Sequence, residues 1–153
     1  MTSLFSIVPD AVATVQAETK QDIFELLAER FALAYELDAS EVLERLEERE
    51  RLGSTGFGRG VAIPHARVVG IKRPVAALLR LSDPVDFAAA DALPVDLVFG
   101  LLSPEQSGVA HLHALAAISR IVRNERMHEA FLEAADAEAL YALLTNVTDR
   151  DAA

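Results

Sequence analysis

No cysteine occurs anywhere in the 153 residues of this chain. That excludes disulfides, cysteine nucleophiles and thiolate metal sites, and it makes a reducing compartment such as the cytoplasm the expected location. Long hydrophobic runs are missing as well. The longest apolar stretches, such as Val95 to Leu102, fall far short of the roughly 20 residues that cross a bilayer. The opening residues, MTSLFSIVPD, carry neither a basic segment nor a sustained apolar run, so no secretory signal is expected. Basic residues are scarce: 14 Lys and Arg stand against 24 Asp and Glu, for a net charge of −10. A broad nucleic-acid surface is therefore disfavoured, and partners that dock by charge should carry basic patches.

What is present describes an ordered domain. The chain is 52% hydrophobic and 25% charged, which is too apolar for a disordered segment. Its length suits a single domain over residues 1–153, with a core over about 5–145 and a frayed tail at 148–153.

Periodicity predicts a helix over 19–36, capped by Thr19, with Asp22 at the positive end of its dipole. Ile23, Leu27, Phe31 and Ala34 form its apolar stripe. Ser40 opens a second helix that runs to about Arg51 and stops at Gly53. The segment from Gly53 to Gly60, GSTGFGRG, reads as irregular. It leads into a short strand, Val61 to Ile63, ended by Pro64. The nearly continuous apolar runs at 74–81 and 95–102 predict strands covered on both faces. Helical patterns follow at 108–123, 126–134 and from Asp136 to Leu144. Helices before, between and after buried strands imply an α/β domain. We expect a three-layer α/β/α sandwich, with a mixed central sheet and helices on both faces.

The glycine loop and the histidine after it carry the chemistry. A nucleotide P-loop would need Lys and then Ser or Thr where Arg59-Gly60 stand. The dinucleotide fingerprint ends one residue early at Gly60, and GxSxG is absent from Gly53-Ser54-Thr55-Gly56. The loop does offer backbone N–H groups and two hydroxyls, which suit an anion nest formed by Ser54, Thr55, Gly56, Gly58 and Gly60. Pro64 stiffens the approach to His65. A rigid neutral imidazole beside such a nest suits reversible phosphorylation. From the residues alone, a structural turn with a hydrogen-bonded histidine fits equally. Arg49 could fold its planar fork over a phosphoryl group, or could be one more solvated member of the charge run Glu47 to Arg51.

Residues 49–67, RERLGSTGFGRGVAIPHAR, resemble the active-site segment of the fructose/mannitol/nitrogen-regulatory enzyme IIA family of the bacterial phosphotransferase system. Further matches follow in order: Pro94 to Phe99, Leu101-Leu102-x-Pro104, and His111-Leu112-x-x-Leu115. The resemblance implies that His65 is the phospho-acceptor, through Nε2, with Arg49 and His111 in support and with neither metal nor cofactor. It implies an HPr-type phosphocarrier as donor. For a chain spelled GSTG it points most to the nitrogen-regulatory branch, in which phosphorylation signals to target proteins in nitrogen, carbon or potassium control. The alternative within the family is a sugar-specific component passing phosphate to a IIB domain, with no membrane insertion of its own. An alternative of another class is an anion-binding regulatory module that never turns over. Phe57 and Arg59 depart from the family's usual Ile and small polar residue. Arg59 and Arg67 could bind phosphate, attract an acidic partner, or be merely solvated.

His111 and His113 form an HxH that invites a metal-dependent hydrolase reading together with His65. At about 100° per residue, helix positions two apart point roughly 200° apart and cannot share a ligand. His111 falls on the stripe of Leu115, Ile118 and Val122 and should turn inward, as a core histidine or as a partner of His65; the family match favours the second. His113 and His128 are expected at the surface.

Overall fold

The computed structural model describes residues 4–152. Among them, six strands form one sheet in the order β1 (Val12–Val15), β5 (Val75–Val85), β6 (Val95–Pro104), β3 (Val61–Ala62) and β2 (Gly56–Gly58), while β4 (His65–Val68) also pairs with β6. The sheet is mixed as expected: β1 runs parallel to β5, β5 antiparallel to β6, and both β3 and β4 parallel to β6.

Helices α1 (Lys20–Tyr35) and α2 (Ala39–Arg51) cover one face. Their Ile23, Leu27, Phe31, Val42 and Leu46 join one buried cluster with Leu79, Val98 and Leu102. Helices α3 (Val109–Arg123), α4 (Glu125–Glu133) and α5 (Ala137–Ala152) cover the other. There Ile118, Ile121, Phe131, Leu140 and Leu144 pack on Leu78, Leu97, Phe99 and Leu101. Alternation along β6 thus feeds two cores, which gives the continuous apolar run its physical cause.

Thr19 caps α1 in a reciprocal box: Asp22 N–H donates to Thr19 Oγ1 at 3.0 Å, and Thr19 N–H donates to Asp22 Oδ2 at 3.3 Å. Three local expectations need correction. The cap of α2 is Asp38, not Ser40, because its carboxylate accepts the N–H groups of both Ser40 and Glu41. The glycine segment is not wholly irregular, since Gly56–Gly58 pairs antiparallel with β3. His65, left unassigned by the sequence pattern, opens a strand. The presumed frayed tail is the last part of α5, which Val147 anchors in the core and no Gly or Pro interrupts; Ala153 lies outside the described residues.

Candidate active site

Pro64 breaks the edge of the sheet and sets up His65. Ile63 N–H donates to Thr55 O at 2.9 Å, Leu101 N–H donates to Pro64 O at 3.0 Å, and the chain then rejoins β6 with His65 opposite Leu101. Ala66 and Val68 enter the α1/α2 core. His65 and Arg67 take the opposite face by strand alternation.

The tautomer of His65 follows from its partners. Nδ1 lies 2.7 Å from Ile63 O, and a carbonyl oxygen only accepts, so Nδ1 carries the proton. Nε2 keeps its lone pair, and Arg49 Nε–H donates to it at 3.3 Å. Arg49 is held in turn by Gly53 O, 2.9 Å from its Nη1, at the C-terminal end of α2 where a cation is favoured. Burial pushes the His65 pKa below its ordinary value; the Ile63 carbonyl opposes this, Arg49 adds to it, Glu50 opposes it, and Arg67 adds to it.

His111, in the first turn of α3, is 4% exposed, and its ring centroid lies 5.6 Å from that of His65. Its Nδ1 is 2.7 Å from Ser103 Oγ. Burial, then the charge of Arg67, then His65 lower its pKa to about 4. His65, His111, Arg49, Arg67, Leu112 and Leu115 line an open cleft of about 400 Å³. The structure therefore brings together Arg49, His65 and His111, and it adds Arg67. Arg59 lies elsewhere: its guanidinium pairs with Glu125 at 2.9 Å, and its N–H donates to Asp91.

The expected anion nest does not match this geometry. Thr55 gives both its N–H and its hydroxyl to the Glu50 carboxylate, and Gly56 N–H goes to Ser54 Oγ. Among the described residues lining the cleft, none comes from 54–60. The glycines have other causes. Gly58, which ends β2, and Gly60, in the turn to β3, hold φ of +105° and +88°. A Cβ on Gly56 would stand 2.6 Å from Ala89 Cβ and 2.9 Å from its Cα. Gly56→Ala is accordingly expected to lower the unfolding free energy by about 2 kcal/mol in urea titration, because the neighbouring backbone has to shift. An unchanged midpoint would contradict this close approach.

Three site features escaped the sequence. Glu50 ties the loop to α2 and takes Lys20 Nζ at 2.7 Å. Ser103 is a hydroxyl in an apolar strand, and buried hydroxyls need partners, which was the available signal. His128, expected at the surface, is half-buried with Nε2 2.8 Å from Asp96 Oδ1. The bare Gly60 leaves room for that pair, since a Cβ there would stand 3.1 Å from both residues. His113 is exposed, so the HxH splits as helical geometry requires. Among the described residues no three His, Asp or Glu are grouped to hold a metal.

The depressed histidine pKa values carry a sign for stability. Between pH 6.5 and about 4 the unfolded His111 takes a proton that the folded one refuses, so stability is full above 6.5 and falls as pH drops through that window. His65 acts in the same direction. Urea titrations at pH 7 and pH 5.5 should show the loss, and His111→Asn should reduce it. An equal pH slope in both proteins would contradict the assignment.

The fold and site together describe a mixed-sheet α/β sandwich whose cleft sets an arginine against the free nitrogen of a histidine. The chain belongs to the family described as phosphoenolpyruvate-dependent sugar phosphotransferase system, EIIA 2, whose model matches residues 8–147. It is 41% identical over 138 residues to the nitrogen regulatory protein of Pseudomonas aeruginosa, covering 90% of each chain. It is 34% identical over 132 residues to the PTS system fructose-specific EIIA component of Haloferax volcanii, covering 86% of each. The crystal structure of nitrogen regulatory protein IIA-Ntr from Neisseria meningitidis matches with a TM-score of 0.83 at 34% identity, over 90% of this chain and 95% of that one.

Proposed function

We propose that this protein is a phosphocarrier that accepts a phosphoryl group on His65 Nε2 from an HPr-type carrier and signals through its phosphorylation state. The observation that carries the reading is the division of labour on one ring: Nδ1–H is tied to Ile63 O, while Nε2 faces Arg49 in an open cleft. In the transfer, the Nε2 lone pair attacks phosphorus in line as the bond from phosphorus to the donor's nitrogen breaks. The His65 ring gains positive character, which the Ile63 carbonyl stabilises through Nδ1–H. Arg49 and Arg67 offset the charge on the phosphoryl oxygens, and His111 stands beside them. Such a transfer needs alignment and charge stabilisation more than covalent help from the protein. The lowered pKa keeps the nucleophile unprotonated at neutral pH. Leu52 and Leu112, 84% and 60% exposed at the cleft, offer apolar surface to a docking carrier.

The names of the Pseudomonas and Neisseria relatives support the regulatory branch. The Haloferax relative keeps a sugar-specific role as the second reading. Incubation with a phosphorylated carrier should add one acid-labile phosphate by mass, and a chain that stays unmodified would refute the proposal. Pull-downs with phosphorylated and unmodified protein separate the two branches: recovery of only a sugar-specific IIB domain would favour transport.

A further inference from the structure

Ser103 stands near the end of β6, fully buried in an otherwise apolar stretch. Register pairs it with Arg67, two steps along from the pair His65 and Leu101, so Ser103 and Leu101 share the face that carries His65 and Arg67 on β4. The hydroxyl lies 2.7 Å from His111 Nδ1 and makes no other hydrogen bond among the described residues.

Two arrangements satisfy that contact. If His111 Nδ1–H donated to Ser103, the hydroxyl's own proton would be left buried without an acceptor, and a buried unmade donor is costly. If Ser103 donates to Nδ1, its proton is satisfied and the imidazole N–H moves to Nε2, which is also the intrinsically preferred tautomer of a neutral histidine. Burial and the cationic Arg67 keep His111 neutral, so it has a single N–H to place. Nδ1 is turned to the strand, which leaves Nε2 as the nitrogen available to the cleft shared with His65. A lone pair there would repel an anion on His65, whereas an N–H would bind it.

We propose that Ser103 is a positioning residue: by donating its hydroxyl to His111 Nδ1, it holds the ring as the Nε2–H tautomer, which donates to a phosphoryl oxygen on His65. This rests on His65 being the phosphoryl acceptor. Together with Arg67 it supplies the stabilisation that the glycine loop does not.

The test has two parts. Nitrogen-edited NMR of the unmodified protein should show His111 protonated at Nε2, with Nδ1 accepting. Ser103→Val, which puts an apolar side chain without a hydroxyl at this buried position, should lose that Nδ1 hydrogen-bond signature and slow phosphoryl uptake from a phosphorylated carrier about five- to tenfold, the size expected for one hydrogen bond. KM for the carrier should stay unchanged. Ser103→Thr should restore both the signature and the rate. Finding Nδ1–H in the wild-type protein overturns the proposal whether or not Ser103→Val folds, and so does uptake by folded Ser103→Val within twofold of wild type. The tautomer is read without any phosphoryl donor. Failure of His65 to be labelled would thus sink the phosphocarrier reading separately, leaving the tautomer to decide what Ser103 does.

Discussion

Replacing His65 with alanine should abolish acid-labile phosphate uptake from a phosphorylated carrier while leaving the fold intact. The loss should be complete rather than partial, because among the described residues lining the cleft no other imidazole is free to attack. His111 is the nearest other imidazole, but it is 4% exposed, with its Nδ1 engaged by Ser103. Its ring centroid is also 5.6 Å from the His65 ring, too far to occupy the position of Nε2 without moving α3. Arg49 and Arg67 cannot attack phosphorus, because a guanidinium only donates hydrogen bonds and offers no free lone pair. The fold should survive because His65 is only partly buried at the start of an edge strand, and alanine keeps the β4–β6 backbone ladder. Its stability should stay within about 1 kcal/mol of wild type, in the range of substitutions outside the packed core. The measurement is intact mass after incubation with phosphorylated carrier, with circular dichroism as the check on folding. Uptake by His65→Ala at the wild-type rate would end the assignment.

Periodicity made the long elements readable. Thr19 and Asp22 announced α1 through cap chemistry, and the two unbroken apolar runs announced β5 and β6, because a strand covered on both faces has no polar side to alternate with. Short elements carried too little pattern. Val12–Val15 and His65–Val68 are four residues each, and β4 follows a proline that reads as a stop. Asp38 outcompeted Ser40 as the cap because the helix begins two residues earlier than a serine cap would place it. The grouping of Arg49, His65 and His111 came from motif order, since spacing alone cannot say that an α2 terminus, an edge strand and the start of α3 converge. Ser103 and the Asp96–His128 pair depend on strand register and on where α4 settles, and neither is written in local pattern. The glycines misled for a related reason: close approach to Ala89 and positive φ select glycine as strongly as an anion does.

Arg80 provides the largest expected stability effect, and the sequence hid it inside the apolar run at 74–81. Its guanidinium is buried beneath α4 with no carboxylate partner among the described residues. It donates from Nη1 to the carbonyls of Phe131, Leu132 and Ala134, and from Nε and Nη2 to Thr14 Oγ1. The last carbonyls of a helix have no partner within the helix and gather negative charge, so a cation placed there both satisfies and neutralises them. Thr14 is Arg80's register partner on β1, so one side chain ties the sheet edge to the end of α4. Arg80→Leu keeps the apolar stem but strands those carbonyls under Phe131, a fully buried core residue. The expected cost is about 3 kcal/mol, from one buried and two part-buried acceptors losing a charged donor. Arg80→Lys should recover only part of this, because an ammonium cannot span Thr14 and the helix end as a planar fork does. Urea titration gives the free energies, and hydrogen exchange should show α4 amides opening first in the leucine variant, since the other elements keep their anchors. A leucine variant within about 0.5 kcal/mol of wild type, the range of ordinary surface substitutions, would mean that the guanidinium does not hold α4 in solution.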